Sequence, residues 1–281
     1  MSILDIARNS IDVNLLERIA CKVRRRIEWS YNPGSRLEQK HLDPAKLIDR
    51  FERYQKITGV EINFEDKRVL ELGGGPLLGW AYLAKARGAA HYVFNDMALN
   101  ESLIHTDKAK RYFAEHVKLI NQYYKKTLSS DLIVDNFLEL SNEKAEELKI
   151  KNASVDLVIS NSFLEHPNDP LGVFEELKRV LAPGGVQYHF VDFSNHLGTF
   201  DPFEKLYAVP KENVHDVEPT LNGLRVSEWL ALAEKAGFNQ SKFVPYLVES
   251  ESLSSIVNAD ESWKKLGNND LASRCGWIVI S

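Results

Sequence analysis

Several short stretches carry residue types that chemistry could use. The first is Val69-Leu70-Glu71-Leu72-Gly73-Gly74-Gly75-Pro76: an apolar run, a carboxylate, three glycines, and a proline placed to open a helix. Glycines at such a turn let the main chain approach a ligand closely, and the free N–H groups of a following helix suit an anion. A glycine loop alone serves nicotinamide and flavin chemistry equally well. Glu71 shifts the balance. A carboxylate in a strand covered on both faces is costly unless a cation or hydrogen-bond donor meets it. A bound phosphate would gain nothing from that charge, whereas a ligand with an ammonium group and hydroxyls would.

Asp96 follows Gly75 by 21 residues, at the end of the next apolar run and just before Met97. That spacing is where α/β nucleotide sites place the acid that accepts hydrogen bonds from ribose hydroxyls. Asp135-Asn136-Phe137 offers an acceptor, a donor and an apolar face suited to an adenine, and Asn161-Ser162 ends a later run. Each polar residue could instead cap a following helix. That reading suffices for Ser162, competes evenly at Asn136, and does not explain Glu71 with Asp96.

Histidine is the side chain best suited to move a proton near neutral pH. Of eight histidines, His166 follows the fourth apolar run and His196 the fifth, with Asp192 four residues before it. Either could act as a base, or neither; His196 is favoured because it opens a long connection where a substrate would sit. His41, His91, His105, His116 and His215 fall where helix or loop surface is the expected home.

To bring these residues together the chain needs a regular scaffold, and its pattern supplies one. Short apolar runs at 68–72, 91–95, 132–135, 155–160 and 186–193 alternate with helical stretches at 77–87, 101–125, 142–148 and 171–181. Strict alternation predicts a parallel sheet covered on both faces. A further helix at 227–236 and strands at 242–248 and 276–280 close the chain. Residues 1–66 read as a helical extension, a candidate lid. Leu15, Leu16, Ile19, Val23 and Ile27 share one face, 31–35 breaks the helix, and Asp43-Pro44 starts another that carries Leu47, Ile48, Phe51 and Tyr54. Residues 67–281 form the main domain, in which 194–226 is a long, weakly patterned connection of the kind that often binds substrate. Its aromatics, with Phe193, either stack on a ring-shaped ligand or anchor the loop.

Composition excludes several classes. With 35 Lys+Arg against 40 Asp+Glu, a net charge of −5 gives no overall pull toward nucleic acid or anionic membrane. The basic cluster Lys22, Arg24, Arg25, Arg26 fans around its helix by about 100° per residue and is offset by Glu17 and Glu28, so it reads as a solvated face. Two cysteines, Cys21 and Cys275, make neither a disulfide framework nor a metal knuckle. With no apolar run near ~18 residues and no signal-like start, the expectation is a soluble, cytoplasmic protein.

Taken together, these motifs resemble the class I S-adenosylmethionine-dependent methyltransferases. The resemblance rests on Glu71-Leu72-Gly73-Gly74-Gly75-Pro76, on Asp96, on the run from Val155 through Asn161-Ser162-Phe163-Leu164-Glu165-His166, and on the run from Phe174 to Ala182-Pro183-Gly184-Gly185. It covers 68–193 well and 227–281 loosely. It implies a Rossmann-like α/β fold with a seven-stranded sheet ordered 3-2-1-4-5-7-6, the last strand antiparallel, and S-adenosyl-L-methionine as cofactor. Glu71 and the Gly73, Gly74 and Gly75 backbone would hold the methionyl end, Asp96 the ribose, and Asp135 and Asn136 the adenine. Asn161 would line the transfer mouth, with Pro76, Met97, Phe137 and Ser162 completing the cofactor contacts. The stretch from Asn222 to Leu230 is similar to a subgroup acting on glycans and other small hydroxylated metabolites. O-methylation of such an acceptor is therefore expected.

Ubiquinone-biosynthesis and small-RNA 2′-hydroxyl methyltransferases carry a Glu-x-x-Glu-His metal motif at the place of Glu165-His166. Ser162 stands here at the first glutamate, so no metal is predicted. A nicotinamide-dependent oxidoreductase and a non-catalytic S-adenosylmethionine-binding protein are the alternatives.

Overall fold

Pro44, which lacks an N–H to leave unpaired, sits in the first turn of α1 (Pro44–Thr58). Ile48 and Phe51 bury its apolar stripe, and Phe51 packs edge-on against Trp80. Tyr54 continues that stripe onto the sheet, stacked on Phe190 with ring centroids 3.7 Å apart and planes within 4°. The computed structural model describes residues 44–75, 78, 80–97, 99, 101–129, 137–196 and 199–281. The expected helix around 15–27, Cys21 and the basic cluster lie outside them, as does His41.

The strands are β1 (Arg68–Leu72), β2 (His91–Asn95), β3 (Leu138–Ser141), β4 (Val155–Asn161), β5 (Leu181–Asp192), β6 (Ser241–Val248) and β7 (Ser273–Ile280). They form one sheet in the order β3-β2-β1-β4-β5-β7-β6, with β7 antiparallel to both neighbours. This is the expected order. Helices α2 (Ala81–Ala86), α3 (Glu101–Ile104) and α4 (Asp107–Tyr124) join the sheet's second strand to its third, or its first to its second. With α1 they contribute to a core holding Phe51, Trp80, Tyr82, Phe94 and Phe113. Helices α5 (Pro170–Val180) and α7 (Val226–Lys235) belong to a second core with Leu70, Val158, Phe174 and Trp229. Two apolar layers on one sheet explain why β1 is buried at four of its five positions.

Three expectations about elements are revised. The helix expected over 101–125 breaks at Thr106, whose side chain caps α4 by accepting the Ala109 amide. The helix expected over 142–148 is absent, because its polar groups bond elsewhere: Asn95 ties both main-chain groups of Glu143, and Leu148 N–H donates to Glu176. The strand expected at 132–135 lies outside the described residues, and the sheet's third strand is Leu138–Ser141.

The long connection after β5 is half of a cap. Its turn Lys211–Asn213 and short helix α6 (Val214–Val217) meet α8 (Ser254–Val257), α9 (Glu261–Lys264) and α10 (Asn268–Ala272), which the sequence reading did not anticipate. Phe203, Tyr207, Val214, Leu221, Ile256, Trp263 and Leu271 form the cap's own core. Tyr207 Oη donates to the Leu271 carbonyl at 2.9 Å, and Trp263 Nε1 to that of Val209 at 2.8 Å. Beneath lies Arg225, 1% exposed. Its guanidinium donates to the carbonyls of Phe193, Asp270, Leu271 and Ser273, under the rings of Phe193, Phe203 and Tyr207.

Candidate active site

Parallel pairing brings the carboxyl ends of β1, β2, β4 and β5 to one edge, and most of the described candidate residues fall there. Each glycine of the loop after β1 has its own reason. Gly73 and Gly75 adopt φ of +68° and +77°, the left-handed region that disfavours side chains. A Cβ on Gly74 would lie 2.4 Å from Phe94 Cε2 and 2.7 Å from Glu71 Cδ.

Glu71 lies directly beneath this loop, 2% exposed. Its carboxylate accepts from Tyr92 Oη at 2.8 Å and from the Trp80 amide at 3.3 Å. Burial pushes it from the ordinary 4.5 up to about 7, against the lowering effect of those donors. Asp96 Oδ2 accepts the Gly75 amide at 2.8 Å, so the loop's last glycine is tied to the end of β2. Met97 beside it is exposed. The sequence reading identified Glu71 but missed Tyr92, whose partner becomes visible only when β1 and β2 pair.

Pro76, Asp135 and Asn136 lie outside the described residues. Phe137 is corrected from a ligand face to a core residue. It precedes β3 at the sheet's amino edge, is 1% exposed, and packs on Tyr92 with the Lys85 ammonium over its ring. The reason is register: β3 starts after Phe137, not before it.

At the other half of the edge, Asn161 ends β4, and its buried Oδ1 has no hydrogen-bond partner among the described residues. Ser162 turns the chain with φ +51°, donating its amide to the Phe190 carbonyl at 2.8 Å. That turn carries Glu165 and His166 toward the cap. His166 Nδ1 lies 2.8 Å from the Thr220 carbonyl. A carbonyl can only accept, so Nδ1 carries the proton. The His166 and His196 rings sit 5.5 Å apart.

Glu165 is 4% exposed, and its Oε1 lies 4.0 Å from His196 Nε2. Neither carboxylate oxygen makes a hydrogen bond of ordinary geometry. Burial, and then the Asp192 charge, drive this carboxyl well above the usual range, while Ser162 and nearby amides moderate the shift. Thus His166 and His196, far apart in sequence, are neighbours, and the carboxylate set beside His196 is Glu165. Among the described residues no group of three or more His, Cys, Asp or Glu is arranged to hold a metal ion.

Two histidines differ from the sequence reading. His116, expected at the surface, is 1% exposed on the buried face of α4, and burial lowers it to about 4. His189, which the reading did not single out, lies inside the sheet between Ser160 and Gln187, where burial holds it neutral. Two surface cavities, of about 620 and 690 Å3, open at the amino edge of the sheet, away from these residues. No helix among the described residues is long and apolar enough to cross a membrane.

Residues 70–188 match a family model described as a methyltransferase domain. A search of curated proteins finds no match. Among solved structures, the chain is similar to an S-adenosylmethionine-dependent methyltransferase from Mesorhizobium loti, at 12% identity and a TM-score of 0.44, covering 81% of this chain and 95% of that one. It is also similar to CrArsM, an arsenic(III) S-adenosylmethionine methyltransferase from Chlamydomonas reinhardtii, at 20% identity and a TM-score of 0.43, covering 79% and 64%. Likeness this distant transfers nothing from either protein. The matched segment spans β1 to β5 and contains the glycine loop, Asp96 and the Glu165-His166 turn. Residues 70–188, which run from β1 into β5 of this sheet, are therefore a methyltransferase domain.

Proposed function

We propose that the protein methylates a hydroxyl of a small acceptor, such as a sugar, a glycan precursor or another hydroxylated metabolite, with His196 taking the acceptor's proton. The observation that carries this reading is the pair of imidazoles 5.5 Å apart at the carboxyl ends of β4 and β5, with buried Glu165 beside them. An amine already neutral would need no such base, whereas an alcohol does.

The loop fits the cofactor. The Gly74 backbone has no room for a side chain, and Gly73 and Gly75 need the left-handed region, so main-chain atoms line it without Cβ atoms. Glu71 offers a buried carboxylate for an ammonium group, and Asp96 a second one for hydroxyls. When bound, S-adenosylmethionine supplies a methyl group activated by its sulfonium. The chain's own residues then have three tasks. Gly73, Gly74, Gly75, Glu71 and Asp96 hold the cofactor, and Asn161 borders the transfer mouth. His196 accepts the proton. The cap, closed on its own core and fastened through Arg225, limits the acceptor's size and excludes water.

The test is methyl transfer from labelled S-adenosylmethionine across a panel of sugars, phenols, catechols and amines. Hydroxyl acceptors should turn over, and His196→Ala should lose about 10²–10⁴-fold in rate with cofactor binding intact. Turnover of amines alone, unaffected by His196→Ala, contradicts the proposal.

A further inference from the structure

We propose that Glu165 is a positioning residue for His196: it fixes the imidazole through its Nε2 side and stabilises the imidazolium formed when the acceptor gives up its proton. This rests on the reading of His196 as the base. In that step the acceptor's O–H bond breaks, its proton goes to the imidazole, and the oxygen pair forms the new C–O bond. The electron pair of the broken S–C bond stays on sulfur.

Geometry carries the assignment. Glu165 is 4% exposed and its Oε1 lies 4.0 Å from His196 Nε2. A carboxylate this deeply buried is costly to ionise, and a cation formed beside it offsets that cost. The backbone is set for this contact. His196 holds φ +54° and Ser162 φ +51°, a region non-glycine residues rarely adopt and which concentrates at functional sites. Cap residue Asn222 locks the other side: its amide donates to the Glu165 carbonyl at 2.8 Å and its side chain to that of Leu164 at 2.7 Å. Folding of the cap therefore fixes where Glu165 stands.

Asp192, at the end of β5, adds negative charge that opposes ionisation of Glu165, and His166 stands beside His196 with its Nδ1 held by Thr220. From the packed cap segment, Thr220 and Asn222, both uncharged, contact this turn, and Glu218 is buried in the same segment. An opposite charge within ~4–6 Å favours the charged form of an imidazole by about one pH unit or more. The carboxylate should therefore move the rise of turnover with pH in the alkaline direction.

The experiment is an NMR titration of the His196 imidazole in the full chain, which needs no acceptor. In Glu165→Gln the His196 midpoint should fall by about one pH unit, roughly a tenfold change in imidazolium at a given pH. In Glu165→Asp, with the carboxylate withdrawn by one methylene, it should lie between the two. Affinity for S-adenosylhomocysteine, measured by calorimetry, should stay within about twofold in both variants, because Glu165 is not placed on the cofactor. A His196 midpoint unmoved in both variants overturns the proposal. So does a midpoint in the unsubstituted protein that shifts when EDTA is added, since Glu165 would then be a metal ligand. Full turnover by His196→Ala would instead remove the base assignment, a separate failure from an unmoved midpoint.

Discussion

The Asp96 carboxylate accepts the Gly75 amide at 2.8 Å, joining the glycine loop of β1 to the end of β2 across 21 residues. One oxygen thus shapes the loop, and in the proposed function the same side chain receives hydroxyls of the cofactor. Asp96→Ala should remove charge-assisted hydrogen bonds, each about 1.5–3 kcal/mol. Affinity for S-adenosylhomocysteine should fall at least tenfold while the circular dichroism spectrum is kept. An unchanged dissociation constant would remove Asp96 from the site.

Glu71 makes the stability of the loop depend on pH. Its folded value, about 7, lies above the ordinary 4.5, so the folded state holds the proton more tightly. Stability from this group is full below the ordinary value and declines as pH rises through about 7, by on the order of 3 kcal/mol in all. Glu71→Gln should therefore gain stability relative to the unsubstituted protein between pH 5 and 8, read by urea unfolding at each pH. A difference that is flat with pH contradicts the assignment. Added cofactor should narrow it, because a bound ammonium lets the carboxylate ionise.

Arg225 fastens the cap to β5, with four carbonyls accepting from one buried guanidinium. Arg225→Met would leave those carbonyls short of donors and should cost at least about 3 kcal/mol. The lesion should show as early proteolysis within 194–226 and a lowered melting temperature. Intact resistance to protease would mean the cap closes without it.

Trp263, buried at the centre of the cap, offers a second lever. Trp263→Ala should cost about 3–5 kcal/mol by the cavity it leaves. Because the cap core is separate from the two sheet cores, binding of S-adenosylhomocysteine should survive in this variant at low temperature while turnover drops. Loss of both together would show that the cap and the cofactor edge are one unit.

Much of this arrangement was legible in the sequence where local pattern and tertiary context agree. Strands 68–72 and 91–95 match to the residue, because each is a short apolar run bounded by turn residues. Glu71 and Asp96 stood out because a carboxylate at the end of a buried strand needs a reason. The errors arose where long-range partners decide. Residues 142–148 have helical composition, yet Asn95 and Glu176 claim their polar groups. The cap's core is split between 203–221 and 256–272, so neither half shows a face of its own. His116 is buried rather than exposed because its helix buries positions 109, 113, 116, 117 and 120, a stripe that a polar residue can join once desolvation holds it neutral. Glu165 and His196 are 31 residues apart, and only the pairing of β4 with β5 reveals them as neighbours.

The central claim is that the edge formed by β1, β2, β4 and β5 binds S-adenosylmethionine, and calorimetric titration tests it most directly. S-adenosylmethionine and S-adenosylhomocysteine should each bind saturably at one site per chain, with binding weakened at least tenfold by Asp96→Ala, while NAD gives no heat of binding. Saturable binding of NAD with no response to either sulfur nucleoside would contradict it.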